Sequence, residues 1–226
     1  MKRPTRGISD NRILTYQQKS FLDEFTKTDL RNVFRLTGGT ALSAFYLEHR
    51  SSEDLDFFSS EKVPFYVTEE FLKRVDIIKD ILYTKQFDRN IFNLGLKGGA
   101  TLKVEFTYYP LKNLEDIVLI DNLRIDSLLD ITVNKLCAIA DRYDAKDYVD
   151  LYCILKSCDF SLRELMNLAD GKCELRGISH ILKGRLLQIP DGMEKIPFRV
   201  DIKKEEIKNL FERLIKEIVK GEIDES

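Results

Sequence analysis

Two aspartates separated by one residue are the residues of this sequence best placed to do chemistry. Asp54 and Asp56 lie in the segment Asp-Leu-Asp-Phe-Phe, whose apolar Leu55 and Phe57 predict a short strand. Alternate residues of a strand point to the same face, so the two carboxylates should project side by side. At about 4 Å they would repel by roughly 4 kcal/mol at an effective dielectric constant of 20. A cation between them would relieve that repulsion, and two solvated charges at a sheet edge are the alternative.

A glycine pair precedes the aspartates and opens a predicted helix. Residues 32–37 have the composition of a strand, Gly38 and Gly39 follow, and residues 40–47 are rich in helix formers. A glycine has no Cβ to shield the backbone N–H groups at a helix start, where the helix dipole adds about half a positive charge. Such a turn can hold a phosphate group, although Gly-Gly also closes tight turns that bind nothing.

Four motifs in a fixed order extend this strand, turn and helix. The first motif, residues 38–58, contains Gly-Gly-Thr-Ala-Leu and Glu-Asp-Leu-Asp-Phe-Phe. The other three are Lys-Val-Glu-Phe (103–106), Asn-Lys-Leu (134–136) and Arg-Tyr-Asp-Ala-Lys-Asp-Tyr-Val-Asp-Leu-Tyr (142–152). Together they resemble the AbiEii/AbiGii toxin-like branch of the nucleotidyltransferase superfamily related to DNA polymerase beta. The resemblance covers about residues 33–155. It implies an α/β (α+β) fold, a mixed sheet flanked by helices with a helical C-terminal part.

The resemblance also implies a metal site formed by three carboxylates. Asp54 and Asp56 would bridge two Mg²⁺ ions, and Glu105 would complete one metal or act as a base. Glu105 alternates with Lys103 and Thr107 on the polar face of its strand. Because Mg²⁺ binds oxygen ligands at about 2.1 Å, we expect the three carboxyl groups to converge within a few ångströms.

Six residues are assigned to an NTP substrate by the same resemblance: Gly38, Gly39, Thr40, Lys135, Lys146 and Asp147. Arg50 is added because it lies just before the strand of the aspartates, where it would contact a phosphate or else support Asp54. The glycine turn and a threonine hydroxyl would hold the triphosphate, and Lys135 would neutralise its β and γ phosphates. Arg142 is expected to pair with an aspartate of the following helix. The alternatives are an N-cap for Thr40, an exposed helix lysine for Lys135 and a salt-bridged helix face for the 142–150 group.

The elements that position these residues fall into two predicted regions. Residues 1–125 should form the catalytic core, with helices at 16–28 and 68–81, a hairpin closed by 97–100 and a strand near 117–120. Residues 126–226 should be helical and complete a cleft, with helices near 127–139, 145–155, 161–168 and 207–218.

Composition restricts the class of protein. The chain has 226 residues, with 36 Lys and Arg against 38 Asp and Glu, so it lacks a global basic field. RNA binding would need a local patch, for which the candidates are Lys2, Arg3, Arg6, Lys172, Arg176, His180, Lys183 and Arg185. No apolar run approaches a membrane span and no signal-peptide core follows the N-terminus, so we expect a cytoplasmic protein. Its four cysteines, without C-x-x-C spacing, are expected to be reduced thiols.

The expected reaction is Mg²⁺-dependent transfer of NMP from an NTP to a hydroxyl, with release of pyrophosphate. The resemblance to toxins of toxin–antitoxin or phage-defence systems favours RNA, in particular tRNA, as acceptor and a cognate antitoxin as partner. One alternative is a nucleotide-binding interaction protein that transfers nothing. Another is a small-molecule transferase of the aminoglycoside-modifying type, which should have an acidic acceptor pocket.

Overall fold

The computed structural model describes residues 6–173 and 177–224. The chain divides into two compact units, one ending at Leu128 and the other beginning at Leu129. The N-terminal unit contains α1 (Tyr16–Phe25), α2 (Leu30–Val33), β1 (Arg35–Thr37), α3 (Gly38–Leu42) with a π-helical turn (Ser43–Leu47), β2 (Leu55–Ser59), α4 (Phe65–Arg74), β3 (Ile78–Gln86), β4 (Arg89–Leu96), β5 (Thr101–Tyr108), β6 (Val118–Ile120) and β7 (Leu123–Ile125). At the division α5 (Leu128–Asp141) begins, followed by α6 (Ala145–Ser157), α7 (Leu162–Lys172), α8 (Ile178–Leu186), a 3-10 turn (Met193–Lys195) and α9 (Lys204–Asp224).

The N-terminal unit is built on a seven-stranded mixed sheet, as the sequence predicts. Its strand order is β3-β4-β5-β2-β1-β7-β6. The parallel pairs are β2 with β5 and β1 with β7, and the other neighbours are antiparallel. The two strands that carry the predicted carboxylates, β2 and β5, are therefore adjacent in the middle of the sheet.

A cluster of phenylalanines fixes the orientation of these two strands. Phe57 of β2 and Phe106 of β5 are paired in the parallel register, and their rings stack at 5.3 Å between centroids. Phe25 of α1 lies 4.5 Å from Phe57, and all three rings are buried. Because side chains alternate along a strand, this apolar face of β2 and β5 leaves the neighbouring positions to the opposite, polar face.

Two predicted elements differ from the structure, and strands β3 and β7 and helix α8 were not predicted. The helix predicted over 68–81 ends at Arg74, Val75 is extended with ψ 110°, and Ile78 already belongs to β3. The strand predicted over 32–37 begins only at Arg35, because Leu30–Val33 form one helical turn. Strand β7 was not predicted, and it follows β6 through a two-residue turn with positive φ at Asp121 and Asn122.

The C-terminal unit is helical, as predicted, and is cross-linked. Cys137 and Cys173 form a disulfide with their Cα atoms 6.2 Å apart, so the expectation of four reduced thiols is wrong for this pair. The spacing of these cysteines, 36 residues apart, follows no motif that could have indicated the bridge. Cys153 and Cys158 remain thiols. Among the described residues no helix is long and apolar enough to span a bilayer.

Candidate active site

The polar face of β2 and β5 brings the three predicted carboxylates onto neighbouring strands. Asp56 and Glu105 are direct partners in the parallel register, so their side chains lie on the same face of the sheet. Asp54 immediately precedes β2, and its Oδ2 lies 2.8 Å from Nζ of Lys103 on β5. The alternation predicted around Glu105 is thus observed in the structure.

The glycine turn lies directly against Asp56. Gly38 begins α3 with φ +71°, a left-handed conformation that favours glycine. A Cβ atom at Gly38 would collide with Oδ2 of Asp56, and one at Gly39 would collide with Nη2 of Arg50. The absence of both Cβ atoms therefore lets a carboxylate and a guanidinium approach the backbone at the start of α3. The order of strand β1, glycine turn and helix α3 is the one that the sequence predicts.

The loop before β2 is fixed at its backbone by two other helices. The Thr40 hydroxyl donates a hydrogen bond to the carbonyl of Asp54. The Gln18 side chain of α1 donates to the carbonyls of Ser52, at 2.8 Å, and Glu53, at 3.2 Å. Thr40 and Gln18 are buried. The Thr40 hydroxyl thus holds the strand that carries Asp54, which differs from its predicted role at a triphosphate.

Lys103 supplies a positive charge among the carboxylates. Its ammonium bonds Asp54, and the side chains of the two residues are 35% and 42% exposed. Burial is the largest single influence and would lower the pKa of Lys103, but the hydrogen bond to Asp54 and the charges of Asp54, Asp56 and Glu105 together raise that pKa above its usual value. The lysine is therefore held in its charged form by the acidic face.

Glu105 is held differently, as the buried partner of an ion pair with Arg89. Nε and Nη2 of Arg89 bond its two carboxylate oxygens at 2.5 and 2.7 Å, and the Thr107 hydroxyl donates to Oε1 at 2.8 Å. Among the residues that the structure describes, no three His, Cys, Asp or Glu side chains come together closely enough to hold a metal ion. The expected convergence of three carboxylates is therefore not found, because Arg89 and Thr107 bind Glu105.

The lysine predicted to bind phosphates lies in the C-terminal unit, inside an ion-pair network. Nζ of Lys135 lies 2.8 Å from Asp147 and 2.7 Å from Asp150, and its side chain is 8% exposed. The Arg142 guanidinium also bonds Asp147, as its predicted pairing requires. Burial opposes ionisation of Asp147, but Lys135 and Arg142 together hold its pKa below the usual value. In this arrangement the ammonium of Lys135 neutralises protein carboxylates.

The other basic residues predicted to bind nucleotide or RNA are either exposed or already paired with a carboxylate. Lys146 is exposed while its neighbour Asp147 is buried, so the two do not line one surface. Lys172 is buried and bonds Asp130 at 2.6 Å, and Lys183 bonds Glu222 at 2.6 Å. Because it is buried and paired, Lys172 does not contribute to the predicted basic patch. Lys2, Arg3 and Arg176 lie outside the described residues.

Sequence reasoning missed three contributors to this site. Gln18 has a signal, since Thr15-x-x-Gln18 is a capping-box pattern that marks the start of α1. Lys103 was visible on the polar face, but its bond to Asp54 depends on the β2–β5 pairing. Arg89 has no local signal, because it reaches Glu105 diagonally across the β4–β5 register, in which it pairs with Thr107.

A cavity of about 410 Å³ lies elsewhere in the N-terminal unit. Its walls come from the end of α1, from α2 and from α4, and include Leu30, Val33, Val67 and Phe71. None of its lining residues belongs to the carboxylate face or to the glycine turn.

Comparison with known proteins assigns the chain to a family. Residues 20–226 match the AbiEii family, described as a nucleotidyl transferase toxin of a type IV TA system. An uncharacterized protein of Aquifex aeolicus is 29% identical over 213 residues, which cover 93% of this chain and all of that protein.

Two solved structures share the fold. JHP933 from Helicobacter pylori is 23% identical with a TM-score of 0.56, over 93% of this chain and 97% of its own. MenT4, a nucleotidyltransferase toxin of Mycobacterium tuberculosis, is 18% identical with a TM-score of 0.61, over 88% of this chain and 80% of its own. Because the family match extends over both units described above, the chain belongs to the AbiEii nucleotidyl transferase toxin family and is a nucleotidyltransferase.

Proposed function

We propose that this protein transfers NMP from an NTP to a hydroxyl group of RNA, with a divalent cation bound at Asp54 and Asp56. The observation that carries the proposal is the position of the Asp56 carboxylate beside Gly38 at the start of α3, so close that a Cβ atom at Gly38 would collide with it. It combines two requirements of nucleotidyl transfer in one place, an anionic group for a cation and a helix start for phosphates.

The donor set at the β2 strand suits a hard divalent cation such as Mg²⁺. Asp54, the residue before β2, and Asp56 within β2 present carboxylate oxygens, the ligands that Mg²⁺ prefers, and Lys103 on the polar face of β5 bonds Asp54. Glu105 does not fit as a ligand in the observed arrangement, because both of its oxygens bond Arg89. We therefore assign metal binding to the two aspartates, and assign to Glu105 the positioning of Arg89 beside them. When bound, the cation supplies electrostatic stabilisation of the charge that develops on the transferred phosphoryl group.

The residues of the glycine turn have separate tasks in this proposal. The backbone N–H groups at Gly38 and Gly39 bind phosphate oxygens, and the Arg50 guanidinium, which packs against Gly39, adds charge at the same point. Thr40 keeps the backbone of Asp54 in place through its hydroxyl. We assign no nucleotide contact to Lys135 or Asp147, because their charges already neutralise each other.

An antitoxin as partner is supported by the family, whose description names a toxin of a TA system. RNA as acceptor, with tRNA as the first candidate, is the part of the proposal that the gel assay below tests. A hydroxyl at an RNA end is the nucleophile that a nucleotidyltransferase of this kind would use to stop growth.

The test is incubation of the protein with each of the four labelled NTPs, Mg²⁺ and total RNA, followed by gel analysis. Asp56→Asn should lower label transfer by at least about a hundredfold, because loss of a ligand removes several kcal/mol of transition-state stabilisation. Asp76→Asn is the matched control, since that carboxylate is exposed and bonds Lys97 outside the site.

Label in RNA with the wild type and the control, but not with Asp56→Asn, supports the proposal. Label that appears only in small molecules would replace RNA with a small acceptor. No label transfer with any NTP would contradict the proposed reaction.

A further inference from the structure

Two basic side chains, Arg89 and Lys103, bond carboxylates on the polar face of β2 and β5, and they are bound in different ways. Arg89 makes two hydrogen bonds to Glu105, whose side chain is 5% exposed and accepts a third bond from Thr107. Lys103 makes one bond to Asp54, and both of those side chains are more than a third exposed. A bidentate pair with a buried partner is held by geometry and by low dielectric, whereas a single exposed bond exchanges readily.

The position of Lys103 is the second observation. It lies two residues before Glu105 on β5, on the face that the parallel register shares with Asp56. Its ammonium interacts with Asp54, Asp56 and Glu105 together. No other described cation is bonded to Asp54. Lys103 therefore occupies an Asp54 oxygen that a divalent cation at the aspartates would need.

We propose that Lys103 is an exchangeable counterion of the Asp54–Asp56 pair and a ligand of the substrate triphosphate. The inference rests on the proposed function, because it concerns the same aspartates. Without a divalent cation, the ammonium of Lys103 neutralises Asp54. When a divalent cation takes the aspartates, Lys103 is released from Asp54 and its positive charge becomes available to a phosphate oxygen. One side chain thus limits metal binding before the nucleotide arrives and adds to phosphate binding afterwards.

Two opposite changes in affinity follow from this exchange. Lys103→Met keeps the length of the side chain and removes its charge. It should raise the affinity for Mg²⁺ alone by about two- to fivefold, the range expected for one partly exposed ion pair. At saturating Mg²⁺, it should lower the affinity for inorganic tripolyphosphate, a probe without a base, by a similar factor. Lys103→Arg keeps the charge and should stay close to the wild type in both.

The measurement is isothermal titration calorimetry on the full chain, with thermal melting in EDTA to establish that each variant is folded. Lys97→Met is the matched control, because Lys97 follows β4 and bonds the exposed Asp76. It should change neither affinity. An unchanged Mg²⁺ or tripolyphosphate affinity in Lys103→Met overturns the inference, and so does the absence of Mg²⁺ binding in the wild type and in Lys103→Met.

The failure of this inference can be told apart from failure of the proposed function. If the wild type transfers NMP to RNA while Lys103→Met binds both probes unchanged, only the role of Lys103 is wrong. If the opposite shifts in affinity occur while no NTP labels RNA, the counterion role stands and the proposed reaction fails.

Discussion

Each unit of this protein contains a lysine bound by aspartates, and the two lysines have different environments. In the N-terminal unit, Lys103 makes a single bond to Asp54, and the two side chains are 35% and 42% exposed. In the C-terminal unit, Lys135 bonds two aspartates that are 1% and 0% exposed. Both are ion pairs of an ammonium with carboxylates, and they differ in how deeply the partners are buried.

The difference in burial gives the two ion pairs different roles. An exposed pair contributes between about 0 and 1 kcal/mol, because water replaces either partner at little cost. A buried pair that loses one partner leaves an uncompensated charge in a low dielectric, which costs about 3 to 5 kcal/mol. The Lys135 network therefore holds α5 to α6, whereas Lys103 can leave its partner during a reaction.

Lys135→Met gives the largest expected effect and tests the structural side of this comparison. It should lower the free energy of unfolding by about 3 to 5 kcal/mol, because Asp147 and Asp150 remain buried without their shared cation. Urea unfolding of this variant beside Lys103→Met, expected within about 1 kcal/mol of the wild type, is the measurement. Equal losses of unfolding free energy in the two variants would contradict the different roles assigned to the two ion pairs.

Gly38→Ala tests how closely the Asp56 carboxylate packs against the glycine turn. Alanine at φ +71° is strained, and its Cβ would meet the Asp56 carboxylate, so we expect a loss of about 2 to 4 kcal/mol in unfolding free energy. Gly98→Ala is the control, since Gly98 has φ +91° with open space around it and reports the backbone strain alone. Urea unfolding should show the larger loss for Gly38→Ala. Equal losses would mean that Asp56 does not press against the turn.

Arg89→Met tests the ion pair of Arg89 with Glu105, whose contribution to stability should lie between those of the Lys135 and Lys103 pairs. The Arg89 side chain is 38% exposed but its partner is buried, so removal of the guanidinium should cost about 1.5 to 3 kcal/mol, the range for hydrogen bonds to a charged group. The double variant Arg89→Met with Glu105→Gln should recover part of that loss in the same urea assay. No recovery would show that Arg89 stabilises the sheet by other contacts.

The pH dependence of stability is the smallest expected effect and is assigned to Asp147. Its pKa is lower in the folded protein than the ordinary value of 3.8, so folding is favoured with the carboxylate ionised. That contribution is complete above the ordinary value and is lost as the pH falls through the folded pKa. Chemical unfolding between pH 5 and pH 2 should show this loss, and Asp147→Asn should show a shallower slope. An unchanged slope would contradict the assignment.

The predictable part of the site is the part encoded by short-range pattern. The alternation of polar and apolar residues over 54–57 is sufficient to predict strand β2, which begins at Leu55 and carries Asp56, with Asp54 one residue before it. The glycine pair is sufficient to predict that a helix follows β1, although the helix begins at Gly38 and not at the predicted Thr40. These features require only the periodicity of a strand and the conformational freedom of glycine.

The unpredicted part depends on pairings between distant strands and on burial. Arg89 and Glu105 are brought together by the β4–β5 register, which no single segment encodes. Lys135 was expected to face the nucleotide, and only the packing of α5 on α6 reveals that Asp147 and Asp150 surround it. Helix α4 ends before the predicted residue because Ile78 finds a partner in β4, a tertiary preference that overrides the local pattern.

The β2–β5 register also limits how the length of this chain can change over evolution. Within β5, a single inserted or deleted residue between Lys103 and Thr107 would turn Glu105 to the phenylalanine face and a phenylalanine to the aspartates. In the β4–β5 turn, by contrast, Gly98 and Gly99 are surrounded by open space. Length variation among descendants of this sequence should therefore accumulate in that turn, and substitution alone should change the strand beside it.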